Sequence, residues 1–212
     1  MANKVIVAGG SGLVGSHLVQ ELSNNETISK IICLGRTDKW QEDDRVEFKP
    51  SNFEIFPKVE SPIDAGFCCL GTTIKDAGSK EAFEKVDYQM VVDFAGFCRD
   101  LGAKSFHLVS AYGANGDSLF YYPRVKGKCE QALMNMGFQA LFIYHPSLLI
   151  GARSQFRLGE EVGKVFYKAL GFGPIKPWIG TRAEDLAKKM VRSMLAQNSK
   201  GTHIIGPASI SS

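Results

Sequence analysis

Residues 4–22 read KVIVAGGSGLVGSHLVQEL, a short apolar run that breaks into glycines and resumes as a helical stripe. The run over 4–8 does not alternate apolar with polar, as a half-exposed strand would, so it predicts a strand buried on both faces. Leu13, Val14, Leu18 and Leu22 fall on one face of a helix. Between strand and helix, Gly9, Gly12 and Gly15 form G-x-x-G-x-x-G. The first glycine permits a tight turn, the second lets a pyrophosphate approach the backbone, and the third lets the helix pack closely on the strand. A helix N-terminus there offers N–H donors and the positive end of a dipole. With 22 glycines in 212 residues the spacing alone is weak, and its place between strand and helix gives it weight. The reading is a dinucleotide turn with Ser11 and Leu13 among its contacts; the alternative is a structural turn with no nucleotide.

The same alternation continues along the chain. Short apolar runs at 30–34, 46–48, 65–70, 105–109, 140–144 and 202–205 predict strands. Helical spacing appears at 80–101 (Phe83, Val86, Met90, Phe94, Leu101), 122–136, 160–170 and 183–196. Strands separated by helices imply right-handed crossovers, so the fold class is α/β with a doubly wound parallel sheet. Ligands then bind at the C-terminal strand ends, where Gly9, Gly35, Gly71, Ser110 and His145 fall. One domain spans 1–212, and residues from about 151 onward form a small C-terminal cap on the substrate side.

Composition excludes other classes. With 44% hydrophobic and 22% charged residues, the chain has too much apolar content to be mainly disordered. A net charge of +3 is too small and dispersed to indicate nucleic acid. No stretch approaches the ~20 apolar residues of a membrane span, and the N-terminal run reads as a strand, not a signal peptide. The five cysteines are odd in number and contain no C-x-x-C, which argues for a reducing cytoplasm and against disulfides or zinc. The four histidines show no ligand spacing, so no metal site is expected.

Arg36 follows the second strand in Leu34-Gly35-Arg36-Thr37, with no acidic residue at the strand end. A guanidinium there suits the 2′-phosphate of NADP(H), although a solvated arginine reads the same way. Tyr122-Pro123-Arg124-Val125-Lys126 puts Tyr122 and Lys126 at i and i+4 on one helix face, and Pro123 fits only the first turn. Ser110 closes the preceding strand. Val125, Cys129, Leu133 and Met136 make the opposite, core-facing stripe, which leaves a packing tyrosine and a surface lysine as the structural alternative.

With these residues in this order, the chain resembles the short-chain dehydrogenase/reductase superfamily over nearly its whole length. Cys69-Leu70-Gly71-Thr72-Thr73, Val86-Asp87 and Lys126-Gly127 with Glu130 resemble an atypical branch, the Tat-interacting-protein-like oxidoreductases and NAD(P)-dependent epimerase-like proteins. The resemblance implies a Rossmann fold, with Leu70, Gly71 and Thr72 along the cofactor's ribose. His145-Pro146 resembles the family's Arg-Pro segment beside the nicotinamide, and Asp185-Leu186-Ala187 a helix start near the C-terminus. Asp87 stands where many members carry Asn, and Ala111 where a second serine often stands.

The chemistry expected is carbonyl reduction or its reverse on a small-molecule substrate. Tyr122 is the proton donor, Ser110 a hydrogen-bond donor to the same oxygen, and Lys126 holds the ribose and favours tyrosinate. The hydride belongs to the cofactor. Two alternatives stay open: a non-catalytic NADPH-binding regulator, and an epimerase that returns the hydride to its own substrate. Helices 80–101 and 122–136 could pair across a homodimer.

Overall fold

The computed structural model describes residues 3–40, 43–150, 180–196 and 198–211. The strands of the main sheet are β1 (Asn3–Ala8), β2 (Ile28–Gly35), β3 (Val46–Pro50), β4 (Ala65–Cys68), β5 (Ser105–Val109) and β6 (Ala140–Tyr144). A separate short pair follows, β7 (Leu149–Ile150) with β8 (Thr181–Arg182), and then β9 (Gly201–Ile205) joins the main sheet. The seven strands lie in the order β3-β2-β1-β4-β5-β6-β9, every neighbour parallel. The chain starts in the middle, runs out to β3, then crosses back past β1 to build the other half. That reversal opens a crevice above the C-terminal ends of β1 and β4. This is the doubly wound α/β, Rossmann-type sheet expected from the alternating runs.

Residues 5–8 explain why β1 is central. Val5 and Val7 join a core with Leu18 and Leu22 of α1 (Leu13–Ser23) and Leu186 and Met190 of α6 (Ala183–Leu195). Ile6 and Ala8 face the other layer, with Val91 and Phe94 of α4 (Met90–Asp100) and Cys129 and Leu133 of α5 (Tyr121–Met134). A strand buried on both faces needs apolar side chains in both phases, which is why the run does not alternate.

The stretch read as one helix over 80–101 is three segments. After α2 (Ile74–Ala77), α3 (Lys80–Glu84) passes into a π turn at Lys85–Gln89 before α4 begins. Ser79 caps α3, its Oγ accepting from the Ala82 N–H at 3.1 Å. The helix expected at 160–170 lies outside the described residues. Beyond it come β8, α6, β9 and a short α7 (Pro207–Ile210). Among the described residues no helix is long and apolar enough to cross a membrane.

Candidate active site

The glycine turn is built by exclusion. Gly9 has φ +78°, and a Cβ there would lie 2.7 Å from the Cys69 carbonyl oxygen, so only glycine lets β1 and β4 end side by side. A Cβ on Gly15 would lie 2.1 Å from the Gly9 oxygen. The Gly12 N–H donates to Gly9 O at 3.0 Å, and Gly12 is the N-cap of α1 with no side-chain hydrogen bond. The first-turn N–H groups of α1 therefore point into the crevice.

Arg36 is exposed just past the end of β2, and Lys39 lies close by, its Nζ donating to the Ser11 carbonyl at 3.3 Å. Lys39 is a second cation over the turn that the sequence reading did not single out; the signal was an R-x-x-K after a strand end.

On the other side of the crevice, the π turn brings Asp87 to the N-terminal half of α5. Asp87 Oδ2 accepts the Thr72 N–H at 2.8 Å, and Oδ1 lies 2.7 Å from Lys126 Nζ. Both side chains are buried, at 1% and 6% exposure. Lys126 was read as lying off the core stripe, and it does, yet it is as buried as the stripe because its ammonium meets a carboxylate. Burial pulls the Lys126 pKa down, but Asp87, by charge and hydrogen bond, together with Tyr122 and Cys129 reverses it, and the net direction is up. A Cβ on Gly71 would have Asp87 Oδ1 at 3.6 Å and Lys126 Nζ at 3.9 Å, ordinary contact distances, so the exposed Gly71 lies directly against the pair.

Tyr122 lies one turn before Lys126 against Phe83, with ring centroids 5.4 Å apart. Burial pushes its phenol up, Lys126 pulls it down, and Asp87 pushes it up again; the net direction is upward. This departs from the expectation that Lys126 favours tyrosinate: burial of the phenol is the first reason, and the carboxylate beside that lysine adds to it.

One turn beyond Lys126, Glu130 is buried at 5% exposure. The Ser110 hydroxyl donates to its Oε1, and His145 Nε2 lies 2.9 Å from the same oxygen. A serine has one hydrogen to give, and here Glu130 takes it. Glu130 was legible as the third of Tyr122, Lys126 and Glu130 at four-residue spacing on one face. Buried Pro146 follows His145, and its carbonyl accepts the Tyr112 N–H at 3.1 Å, fixing the start of the loop after Ser110. The fold thus gathers Leu70, Gly71, Thr72, Tyr122 and Lys126 around Asp87, and Ser110 and His145 around Glu130. Ser11, Gly12, Leu13 and Gly15 form the turn across the crevice, with Arg36 at the rim.

This arrangement has relatives. Residues 5–127 match the model of the NAD dependent epimerase/dehydratase family. The chain belongs to that family. It is 33% identical over 177 residues to Protein HTATIP2 of Rattus norvegicus, covering 80% of this chain and 73% of that one. It is 32% identical over 167 residues to "Protein FMP52, mitochondrial" of Lodderomyces elongisporus, covering 73% of this chain and 70% of that one. Among solved structures, UDP-glucuronic acid 4-epimerase from Bacillus cereus in complex with NAD superposes with TM-score 0.72 at 15% identity, over 96% of this chain and 77% of that one. Serine dehydrogenase from Escherichia coli gives TM-score 0.67 at 12% identity, over 95% of both chains. At such identities the structural likeness speaks to the fold.

Proposed function

We propose that this protein is an NADP(H)-dependent oxidoreductase that reduces a carbonyl group on a small-molecule substrate. The observation that carries the reading is Tyr122 one helical turn before the buried Lys126, at the crevice across from the glycine turn. The residues present fit a dinucleotide: a Cβ at Gly9 or Gly15 would collide with backbone, and the α1 N-terminus is left without a side-chain cap. The Leu13 N–H and its neighbours in the first turn of α1 would hold the pyrophosphate, and Gly71, Thr72 and Lys126 the nicotinamide ribose. His145 and Pro146 would flank the nicotinamide. Arg36, with Lys39 beside it, would take the 2′-phosphate. When bound, the cofactor supplies the hydride. Tyr122 gives its phenolic proton to the carbonyl oxygen. Ser110 can donate to that oxygen once its hydroxyl turns from Glu130. The five free cysteines support a reducing compartment, the cytoplasm, as its location.

Two measurements test this. NADP(H) should bind more tightly than NAD(H) by roughly ten- to a hundredfold, the worth of one charge-assisted contact. Arg36→Ala should erase the preference and leave NADH affinity nearly unchanged; equal affinities in the wild type would remove the assignment of Arg36. In a panel of aldehydes and ketones followed by NADPH oxidation, Tyr122→Phe should lower turnover by about 10²–10⁴. The family match favours a second reading, an epimerase, for which added NADPH would show no net oxidation.

A further inference from the structure

Asp87 meets no substrate atom in the scheme above, yet it is a buried charge at the centre of the crevice. Its placement is built. The π turn at Lys85–Gln89 carries it inward, the Thr72 N–H fixes Oδ2 at 2.8 Å, and Oδ1 lies 2.7 Å from the Lys126 ammonium. An isolated ammonium beside a phenol stabilises the phenolate. An ammonium with a carboxylate in contact presents a dipole instead, whose field at the phenol is much weaker. We propose that Asp87 is a positioning residue that clamps Lys126 and, by cancelling its charge, lets Tyr122 stay a phenol, so that the resting site holds the proton that carbonyl reduction consumes. The inference rests on the reading of Tyr122 as the proton donor and adds the group that sets its protonation state.

Burial and Asp87 both oppose Lys126 at the phenol, and of these two Asp87 is the charge. Lys126 faces Tyr122 from the same helix, and Asp87 from the π turn. Phe83 covers the ring from α3 and is uncharged. Cys68 on β4 and Cys129 on α5 lie within reach of the ion pair, but burial pushes both thiols up to about 12, so they stay neutral. Glu130 is turned to Ser110 and His145. In carbonyl reduction the phenolic O–H breaks and its proton goes to the carbonyl oxygen, and a bound reduced nicotinamide would supply the balancing hydride to the carbonyl carbon. The tyrosinate left behind is reprotonated from solvent. The reverse reaction must start from tyrosinate, which the clamp disfavours.

The test needs no substrate. The full chain is labelled with 13C at tyrosine Cζ, and the resonance of Tyr122 among the six tyrosines is assigned by its loss in Tyr122→Phe. Its shift is then followed against pH. In the wild type Tyr122 should remain a phenol through the ordinary tyrosine midpoint near 10. Asp87→Asn keeps an acceptor for the Thr72 N–H and removes the charge, so its midpoint should fall by about one pH unit or more. Lys126→Gln should move the midpoint up. Asp87→Ser, also neutral, replaces Asp87→Asn if circular dichroism shows that variant unfolded. A wild-type midpoint at or below the ordinary value, or one that does not fall when Asp87 is neutralised, overturns the clamp whether or not the carbonyl panel turns over. A silent panel beside the expected titration would instead remove the reductase reading and leave the clamp in place.

Discussion

A methyl group on Gly15 would sit 2.1 Å from the Gly9 carbonyl oxygen and 2.8 Å from Gly10 Cα, both backbone atoms. On Gly12 it would meet the Gly9 oxygen at 3.2 Å, a contact that a few tenths of an ångström relieves. Two glycines of one motif therefore do different work. Gly15→Ala should pry α1 from β1 and destabilise the fold by at least the roughly 1–3 kcal/mol typical of overpacking. Gly12→Ala should unfold in urea near the wild-type midpoint while losing dinucleotide affinity, because its Cβ enters the space the pyrophosphate needs. Urea titration and dinucleotide calorimetry on both variants separate the roles. If Gly12→Ala keeps the wild-type dinucleotide affinity, the pyrophosphate does not approach the backbone at Gly12.

At the scale of elements, the inner strands were legible because a strand buried on both faces reads as a short apolar run, whereas the partly exposed edge strands β3 and β9 carry a weaker signal. The helices were legible in outline and misread where charge is buried. Over 80–101 the periodicity points to Val86 and Met90 as core positions, yet both are only half-buried, and the inward positions are Phe83, Asp87, Val91 and Phe94. The π turn shifts the inward face, and the residue it turns inward is a carboxylate. Hydrophobic periodicity cannot register a buried charge, since burial there follows from a partner, Lys126, that is remote in the chain. Glu130 on α5 is buried for the same kind of reason, against Ser110 and His145, and only its four-residue spacing from Lys126 marks it in the sequence. Gly127 shows another limit: a Cβ there would lie 2.1 Å from Gly116 N and 2.2 Å from Asn115 C, so the loop before α5 rests directly on the helix. Nothing in the local sequence distinguishes such a glycine from one that is merely tolerated. The turn, Ser110 and Tyr122 stood out as candidates because each sits at a strand end or a first helical turn, and Lys126 because it lies four residues beyond Tyr122 on the same helix face.

Across the whole molecule, the half of the sheet beyond the crevice is tied together by a row of rings. Phe67, His107, Phe142 and His203 are register partners on β4, β5, β6 and β9, with centroids 4.5, 4.6 and 4.8 Å apart. His107 is fully buried, its Nδ1 3.0 Å from the Tyr144 hydroxyl and its Nε2 3.2 Å from Ser105 Oγ. Burial holds its pKa down from the ordinary 6.5 to about 3. The unfolded chain therefore binds a proton below pH 6.5 that the folded chain refuses until about 3. The stability tied to neutral His107 is fully present above 6.5 and is lost as pH falls towards 3. The slope is about 1.4 kcal/mol per pH unit, or roughly 2 kcal/mol between pH 7 and pH 5, before most carboxylates titrate. His107→Phe keeps a ring in the row but strips a partner from Tyr144 and Ser105, so at pH 7 it should be less stable by about 1–3 kcal/mol. It should also lose much less on acidification, because a phenylalanine has no proton to bind. Urea unfolding of both proteins at pH 7 and pH 5 reads the two slopes. An equal loss in wild type and variant would mean that acid weakens the sheet through another group.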